Sequence, residues 1–376
     1  MLKLGFDAKR LFHNFTGLGN YSRTLIENLQ QQFPEYDYHL FTPRIKLHRE
    51  TNYFLQENLF KTHTAGRRNG TLWRSWGINK DIQETKVQLF HGLSHELPIN
   101  LQKTDVKTVV TIHDLIFKIY PENYAFLDRK IYDSKFRYAC QNANRIIAIS
   151  KSTKNDVASL YDIDPEKIKV IYQTCHQQFK VKLSPPDIQT TLQRYQLPAQ
   201  FLLSVGSIIE RKQLLSIVQA VAALPKSLQL PLVVIGQGKA YKKKVLQYIA
   251  KHKLESLVIF PKAVAYVDLP AIYQAAEMLV YPSKYEGFGI PLIEALFSKT
   301  PVVTTNYSSL PEAAGPGAFY ADSFDHEAIQ EGIEKVLTDE DYQQGLIHKG
   351  HQYVQENFSA KQLSVQLSDL YQTMLR

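Results

Sequence analysis

SKYEGFGIPLIEAL, residues 283–296, directly follows the apolar run MLVYP and contains a glycine-rich turn between two glutamates. Glycine lets a backbone approach a ligand closely, and Pro291 suits the first turn of a helix because its missing N–H would be unpaired there. The start of such a helix presents free N–H groups and a partial positive charge. The stretch therefore predicts a strand, a turn and a helix that together bind an anion or a polyol.

The two glutamates define the ends of this predicted site. Glu286 lies in the turn and Glu294 in the first turns of the helix, with seven residues between them. Carboxylates so placed can each accept a hydrogen bond from one end of an elongated polyhydroxyl ligand. A capped helix with two surface glutamates is the alternative, and the Gly-Phe-Gly-Ile-Pro context argues against it.

A second motif, SVGSIIERK at residues 204–212, predicts a cationic site at the end of a buried strand. The strand ends at Gly206 and Ser207, and a helix begins beyond Arg211 and Lys212. In an open parallel sheet, ligands bind at the carboxyl ends of the strands. Arg grips phosphate oxygens with a planar fork and Lys acts as a point charge, so the pair suits a diphosphate. An ordinary basic helix start is the alternative, but the helix dipole disfavours it.

Two further stretches of the second half give weaker signals. VVIGQG, residues 233–238, predicts a strand followed by a tight turn beside the same ligand. The loop after Phe260 contains Val264, whose backbone groups could line a slot for a nucleobase. The run Lys242 to Lys244 is better explained as the solvated face of a helix.

In the first half, FTGLGNYSR at residues 15–23 places Gly17 and Gly19 before a predicted helix, a turn that can hold a phosphate. It is not a dinucleotide fingerprint, because Ser22 stands where a third Gly or an Ala is required. TVVTIHDLIF, residues 108–117, ends a buried strand at His113. That histidine either faces the ligand crevice or is a hydrogen-bonded structural residue.

FHGLSHELP, residues 90–98, ends the neighbouring strand with three polar side chains, His91, His95 and Glu96. They are candidates for contact with an acceptor molecule. They do not predict a metal site, because no third ligand is fixed by spacing.

Short apolar runs alternate with longer amphipathic ones along the chain, which is typical of parallel sheets covered by helices. The predicted strands are 2–6, 38–41, 87–91, 108–113, 145–149 and 168–172 in the first half, and 201–205, 232–235, 257–260, 278–281 and 301–305 in the second. The pair Pro185-Pro186 breaks regular structure and marks the boundary between the halves. A chain of 376 residues also exceeds what one core usually supports. Two α/β domains are predicted.

Composition excludes several classes of protein. Two cysteines cannot form a disulfide framework or a Cys-based zinc site, and no apolar run approaches the ~20 residues that span a bilayer. The first residues lack the apolar core of a signal peptide, so a cytoplasmic location is expected. Of the net charge of +8, residues 1–178 carry +7, with 25 Lys and Arg against 18 Asp and Glu. No nucleic-acid-binding motif accompanies that excess, so no nucleic-acid partner is expected.

Taken together, the chain resembles glycosyltransferase family 4, the retaining nucleotide-sugar transferases of the GT-B fold. The resemblance is carried by TGLGNYSR, TIHDL, RIIAISKSTKNDV and KIKVIYQTCHQQF in the first half, and by SVGSIIERK, VVIGQG and YPSKYEGFGIPLIEAL in the second. It implies two facing Rossmann-like domains. These are an acceptor-binding domain at residues 1–178, a nucleotide-sugar-binding domain at 179–357 and a final helix at 358–376 that packs back on the first domain. Members often have Asn-Gly where this chain has Gln173-Thr174-Cys175, which leaves the role of that loop open.

The resemblance also implies roles for single residues. Arg211 and Lys212 would neutralise the donor diphosphate, Glu286 would bind hydroxyls of the donor sugar and Glu294 the ribose. His113 would lie beside the transferred sugar as a fourth catalytic residue. The remaining donor contacts would come from backbone groups of Gly17, Gly19, Gly206, Ser207, Val264, Gly287, Phe288, Gly289 and Ile290.

The reaction implied is transfer of a hexose with retention, without a metal or other cofactor. Mannose from GDP-mannose is the first expectation, and another hexose from UDP the second. The acceptor would be a glycan or a lipid-linked glycan in the synthesis of a cell-surface polysaccharide such as lipopolysaccharide. Alternatives are a nucleotide-sugar epimerase, a phosphorylase and a sugar-nucleotide-binding protein without turnover. The basic first half would then contact an anionic membrane that carries the acceptor.

Overall fold

The computed structural model describes residues 2–376, which form two compact units. The N-terminal unit comprises residues up to Thr174 together with Phe358–Arg376, and the C-terminal unit comprises Cys175–Asn357. The chain therefore passes from the first unit to the second at 174/175, four residues before the boundary expected from sequence. It returns at 357/358.

The N-terminal unit is built on a parallel sheet of seven strands in the order β3-β2-β1-β4-β5-β6-β7. The strands are β1 (Lys3–Asp7), β2 (Asp37–Thr42), β3 (Phe60–Thr64), β4 (Leu89–Gly92), β5 (Lys107–Ile112), β6 (Arg145–Ala148) and β7 (Ile168–Val170). Apolar residues of the central strands are buried, as expected when helices cover both faces of a parallel sheet. The strand order reverses its direction of growth between β1 and β4.

Helices follow most of these strands. They are α1 (Lys9–His13), α2 (Gly17–Gln32), α3 (Gly70–Leu72), α4 (Ile78–Thr85), α5 (Ile116–Ile119), α6 (Phe126–Asn142) and α7 (Lys151–Tyr161). The start of α7 shows how the sequence fixes these elements, because the Ser150 hydroxyl accepts a hydrogen bond from the backbone N–H of Thr153.

The C-terminal unit has a parallel sheet of six strands in the order β10-β9-β8-β11-β12-β13. The strands are β8 (Leu202–Val205), β9 (Leu232–Ile235), β10 (Val258–Ile259), β11 (Met278–Tyr281), β12 (Val302–Thr305) and β13 (Ala318–Ala321). The helices are α8 (Pro185–Arg194), α9 (Leu214–Ala223), α10 (Ala240–Lys251), α11 (Leu269–Ala275), α12 (Ile290–Phe297), α13 (Leu310–Ala314), α14 (His326–Thr338) and α15 (Glu340–Asn357). Its strand order reverses between β8 and β11.

The last helix, α16 (Ala360–Leu375), belongs to the N-terminal unit and packs against α2. Its buried apolar residues include Leu363 and Leu367, and the Ser368 hydroxyl lies 2.7 Å from the hydroxyl of Tyr36. No helix within residues 2–376 is long and apolar enough to cross a membrane.

Residues 180–200 differ from the sequence expectation. Pro185-Pro186 opens helix α8 instead of interrupting regular structure, because proline fits the first turn of a helix, where its N–H is not needed. The Ser184 hydroxyl caps this helix by accepting a hydrogen bond from the N–H of Asp187.

A pair of glycines in α15 gives a test of the packing of the C-terminal unit. A Cβ at Gly350 would lie 2.6 Å from Leu296 Cδ2 and 2.9 Å from Gly317 Cα, whereas a Cβ at Gly345 meets nothing within 4 Å. We expect Gly350→Ala to destabilise the unit by about 1–3 kcal/mol through overpacking. Gly345→Ala should stabilise it by about 0.5–1 kcal/mol, since glycine is a poor helix former. Urea unfolding followed by far-UV circular dichroism distinguishes the two, and equal effects would contradict this packing.

Candidate active site

The predicted donor-site motifs meet at the point where the strand order of the C-terminal sheet reverses. Strand β8 leads into Gly206 and Ser207, and its neighbour β11 leads into Ser283 and the turn that contains Glu286. Such a reversal opens a crevice at the carboxyl ends of the two strands, which is where ligands bind in open α/β sheets.

Arg211 and Lys212 converge on one oxygen of Glu286. Arg211 Nη1 lies 2.9 Å and Lys212 Nζ 3.0 Å from Glu286 Oε1, and all three side chains are largely buried. The hydroxyls of Ser283 and Tyr281 donate to the same oxygen over 2.7 and 3.0 Å. The carboxylate is therefore fixed in position by two cations and two hydroxyls.

Electrostatics keep this carboxylate ionised. Burial by itself would raise the pKa of Glu286, but Lys212 and Arg211 outweigh burial and lower the pKa to about 2. Burial lowers the pKa of Lys212, and Glu286 acts against that effect. Two cations beside one carboxylate leave an excess of one positive charge, which favours an anionic ligand.

The turn after β8 requires glycine for two different reasons. Gly206 has φ +135°, and a Cβ there would lie 3.2 Å from Lys212 Nζ. Gly236, at the end of β9, packs so closely that a Cβ would lie 1.8 Å from the carbonyl oxygen of Gly206. The glycine of the VVIGQG motif therefore supports the loop that carries Lys212. Ser207 is exposed in that loop.

The start of α12 is held by serine hydroxyls. Gly289 precedes the helix with φ +108°, a conformation that favours glycine. The Ser309 hydroxyl donates to the carbonyls of Glu286 and Phe288 over 2.8 and 3.0 Å, and the N–H of Glu286 donates to Ser308 Oγ over 3.0 Å. The segment Gly287–Ile290 is thus fixed in position at the start of α12.

Glu294 lies on α12 in a different environment from Glu286. It is 5% exposed, and its carboxyl oxygens contact the hydroxyls of Tyr273 at 3.0 Å and Tyr266 at 3.5 Å. Burial raises the pKa of Glu294 to about 8, and the two tyrosines offset only part of that effect. The group is therefore protonated at neutral pH and can both donate and accept a hydrogen bond. Val264, half-buried, lies in the loop two residues before Tyr266.

In the N-terminal unit, His113 is 5% exposed at the end of β5. Its Nε2 lies 2.9 Å from the carbonyl oxygen of Leu93, and the ring meets Tyr21 edge-on with centroids 4.5 Å apart. Burial lowers the pKa of His113 to about 4, so the imidazole is neutral at physiological pH.

The two histidines expected to face an acceptor are packed into the core of this unit. His91 is fully buried, with Nδ1 2.6 Å from the Tyr371 hydroxyl and Nε2 2.8 Å from Thr111 Oγ1, so both ring nitrogens are engaged. His95 is 6% exposed and stacks on Phe136 with centroids 4.2 Å apart. Both side chains thus pack against helices of the N-terminal unit, His91 on Tyr371 of α16 and His95 on Phe136 of α6. Glu96 is partly exposed and lines a cavity.

Gly17 and Gly19 lie inside the first turn of α2 and not before it, because the helix begins at Gly17. A Cβ at Gly19 would lie 1.6 Å from the carbonyl oxygen of Asn14, so this glycine is required by the chain itself. A Cβ at Gly17 meets nothing within 4 Å. The requirement at Gly19 therefore needs no phosphate to explain it.

Comparison with known proteins gives a separate family match for each half of the chain. The family profile described as "Glycosyltransferase Family 4" matches residues 15–175, and "Glycosyl transferases group 1" matches residues 192–353. The O-antigen chain mannosyltransferase B of Escherichia coli is 30% identical over 274 residues, which cover 72% of this chain and 70% of that protein. The chain belongs to the family 4 glycosyltransferases.

One further relative and one solved structure extend the comparison. The serotype-specific mannosyltransferase WbdA of Escherichia coli is 31% identical over 288 residues, and the match covers 72% of this chain but only 34% of that protein. The structure of Anabaena HepE in complex with UDP and glucose superposes with a TM-score of 0.76 at 17% identity, covering 99% of each chain. The likeness confirms the predicted GT-B fold, with its two Rossmann-like domains.

In this family 4 glycosyltransferase, several residues that contact the two motif glutamates were not predicted from the sequence. Tyr281 and Ser283 hold Glu286, and Tyr273 and Tyr266 hold Glu294. Tyr281 ends β11 directly before the motif, and a polar group at the end of a buried strand was the available signal. Within residues 2–376, no group of three or more His, Cys, Asp and Glu side chains is arranged to hold a metal ion.

The raised pKa of Glu294 gives a prediction for stability against pH. The folded chain keeps the proton up to about pH 8, while the unfolded chain loses it near 4.5, so Glu294 makes stability fall as pH rises through this window. Glu294→Gln removes that fall, by up to ~1.4 kcal/mol per pH unit. Urea unfolding at pH 5 to 9 measures it, with Glu255→Gln on the exposed surface as control. Parallel curves for parent and variant would show that Glu294 is ionised.

Proposed function

We propose that this chain is a retaining, metal-independent hexosyltransferase. It moves a hexose, mannose before others, from a GDP- or UDP-linked donor to a hydroxyl of a glycan or lipid-linked acceptor in polysaccharide synthesis. The observation that carries the proposal is the convergence of Arg211 and Lys212 on Glu286 at the reversal point of the C-terminal sheet. The mannosyltransferases among its relatives favour mannose as the transferred sugar. The UDP complex of HepE is the reason for considering UDP-linked donors as well.

The donor diphosphate takes the excess positive charge of the site. Arg211 and Lys212 bind its oxygens, and backbone groups of Gly287 to Ile290 at the start of α12 contribute further contacts. Glu286, released in part from its cations, accepts hydrogen bonds from hydroxyls of the donor sugar. Glu294, protonated and buried at the other end of the motif, pairs with the ribose hydroxyls. Gly206, Ser207 and Val264 contribute backbone contacts.

The transfer step follows from this placement. The bond between the anomeric carbon and the diphosphate oxygen breaks, and its electron pair leaves with the diphosphate. The acceptor oxygen forms the new bond on the same face, and its proton passes to the departing diphosphate oxygen. Arg211, Lys212 and the helix N–H groups stabilise the charge that develops on the leaving group. We assign to His113, which is neutral and lies against the Leu93 carbonyl, a hydrogen bond to the transferred sugar.

The test is a donor panel. Purified protein is incubated with GDP-mannose, UDP-glucose and other nucleotide sugars and with mannose-containing acceptors, and the anomeric configuration of the product is read by NMR. We expect transfer with retention that persists in EDTA. A free sugar of altered configuration would indicate an epimerase, and dependence on inorganic phosphate a phosphorylase. Binding of donors without any turnover would indicate a sugar-nucleotide-binding protein. Loss of activity in EDTA would overturn metal independence.

The same proposal includes contact with an anionic membrane through the N-terminal unit. Segments that follow β2, β3 and β5 expose large apolar side chains between basic ones, and in a parallel sheet these segments share the carboxyl edge. We call this set the apolar-basic rim. It consists of Ile45, Leu47, Leu72, Trp76, Phe126, Leu127 and Ile131, with Arg44, Lys46, Arg49, Arg67, Arg68, Lys80 and Lys130 among them. Apolar insertion combined with positive charge suits anionic lipid.

We expect the double substitution Phe126→Ser with Leu127→Ser to weaken vesicle binding about tenfold or more, because these side chains are 61% and 72% exposed and would be buried in the bilayer. Flotation with phosphatidylglycerol vesicles measures it, and Leu246→Ser in the C-terminal unit is the control. Trp76, which is half exposed, supplies a second readout through a blue shift of its emission. Equal binding to vesicles of phosphatidylcholine alone would contradict the role of the basic residues.

A further inference from the structure

The N-terminal unit has a cavity at the point where its own strand order reverses. The cavity has a volume of about 140 Å³ and lies at the carboxyl ends of β1 and β4. Asp7 ends β1, and Glu96 follows β4 in the next loop. A crevice at such a reversal is the general ligand position of open α/β sheets, and the donor-site residues of the C-terminal unit occupy the equivalent position there.

One wall of the cavity is a compensated cluster of charges. Arg74 is 10% exposed and spans the two carboxylates, with Nε 3.0 Å from Asp7 Oδ2 and Nη1 2.6 Å from Glu96 Oε2. Lys135 Nζ lies 3.0 Å from the same Glu96 oxygen. Within residues 2–376, the second oxygen of Glu96 receives no hydrogen bond, and the Ser134 hydroxyl at the cavity also makes none. The wall therefore offers acceptors and donors that are already held in place.

Apolar side chains also line the cavity, namely those of Ile78, Phe90, Leu97 and Ile99. Among the side chains that line the cavity, the charges of two carboxylates and two cations balance, and these groups are already paired with one another. A neutral ring with hydroxyls on its edge and C–H groups on its face matches both the polar and the apolar part of this lining. The volume is close to that of an engineered cavity of ~150 Å³ that binds benzene, another six-membered ring.

We propose that this cavity is a binding subsite for one pyranose residue of the acceptor glycan. Glu96 Oε1 and Ser134 Oγ bind ring hydroxyls, while Arg74 and Asp7 keep the Glu96 carboxylate in place. This inference rests on the proposed function, since a glycosyltransferase needs an acceptor site besides its donor site. Of the residues expected from sequence to face the acceptor, the subsite contains Glu96. The other polar residues that form it are Asp7, Arg74, Ser134 and Lys135.

The experiment uses the full chain and methyl α-mannopyranoside and methyl α-glucopyranoside as probes, observed by saturation-transfer NMR. Ser134→Phe fills the mouth of the cavity from an exposed position on α6. The matched control is Ser159→Phe, which introduces the same side chain at an exposed position on α7. We expect Ser134→Phe to lower the probe signal at least fivefold and to raise the KM for the glycan acceptor at least tenfold, with the KM for the donor unchanged. Glu96→Gln should act in the same direction.

The outcomes separate this inference from the proposed function. If neither glycoside gives a signal above that of Ser134→Phe while transfer proceeds, the subsite is overturned and the enzyme stands. If the signal depends on Ser134 and Glu96 but no nucleotide sugar is turned over, the sugar site stands and the proposed function fails. A signal that survives Ser134→Phe but disappears in Lys212→Ala would place the glycoside in the donor site and overturn the proposal.

Discussion

Replacing Lys212 with alanine is expected to lower kcat/KM for transfer about 10³-fold or more. Lys212 supplies a full positive charge, buried and in contact with Glu286, at the place proposed for the donor diphosphate. Removing a single neutral donor from a site that stabilises a developing anion typically costs 10²–10³-fold, and a buried charge contributes more. The loss should fall mainly on kcat, since charge on the leaving diphosphate is greatest in the transition state.

A change in pH dependence accompanies this loss. Without Lys212, one of the two cations that oppose the effect of burial is lost, so the pKa of Glu286 rises above its value of about 2. Glu286 then becomes protonated in mildly acidic buffer, and residual activity of the variant declines at a higher pH than that of the parent. The control is Lys243→Ala, which removes an exposed lysine from α10 and should leave transfer unchanged. A Lys212→Ala enzyme that keeps more than a tenth of the parent activity would show that the diphosphate binds elsewhere.

The sequence predicted those elements whose local pattern agrees with their place in the fold. The strand at Met278–Tyr281 has the predicted bounds, and the final helix expected within residues 358–376 is found at Ala360–Leu375, because continuous apolar runs mark buried strands and amphipathic spacing marks helices. Strands β3 and β13 were not predicted. Both are edge strands with mixed or short sequences, FKTHT and AFYA, and edge strands need no continuous apolar run.

Among the residues of the predicted site, too, those with a local sequence signal were predicted and those without one were not. Glu286, Arg211 and Lys212 were found because they lie next to strand ends and glycine turns, which are local signals. The partners that fix them were not found, since the Ser283 hydroxyl meets an Arg211 side chain 72 positions away, and Arg74 meets Asp7 across 67 positions. His91 and His95 carried the right residue type at the right strand end, yet side-chain direction on the strand and in the loop buried them. Direction depends on tertiary packing that a single sequence does not encode locally.

Glu286→Gln is expected to reduce transfer about 10²–10³-fold. The amide keeps the shape of the side chain but loses the charge that accepts hydrogen bonds from the sugar, and each hydrogen bond to a charged group contributes about 1.5–3 kcal/mol. The variant should fold, because the hydroxyls of Ser283 and Tyr281 can still donate to the amide oxygen. Transfer is measured with saturating donor, and Glu255→Gln on the exposed surface is the control.

Binding of the free nucleoside diphosphate distinguishes this role from a merely structural one. In the parent, Arg211 and Lys212 are shared between Glu286 and the incoming diphosphate. Without the carboxylate charge both cations are available, so Glu286→Gln should bind GDP or UDP more tightly than the parent while it transfers less. Lys212→Ala should bind the same nucleotide more weakly. Calorimetric titration of the three proteins with one nucleotide tests this opposition. Weaker binding by both variants would mean that Glu286 contacts the nucleotide itself, which would contradict its assignment to the sugar.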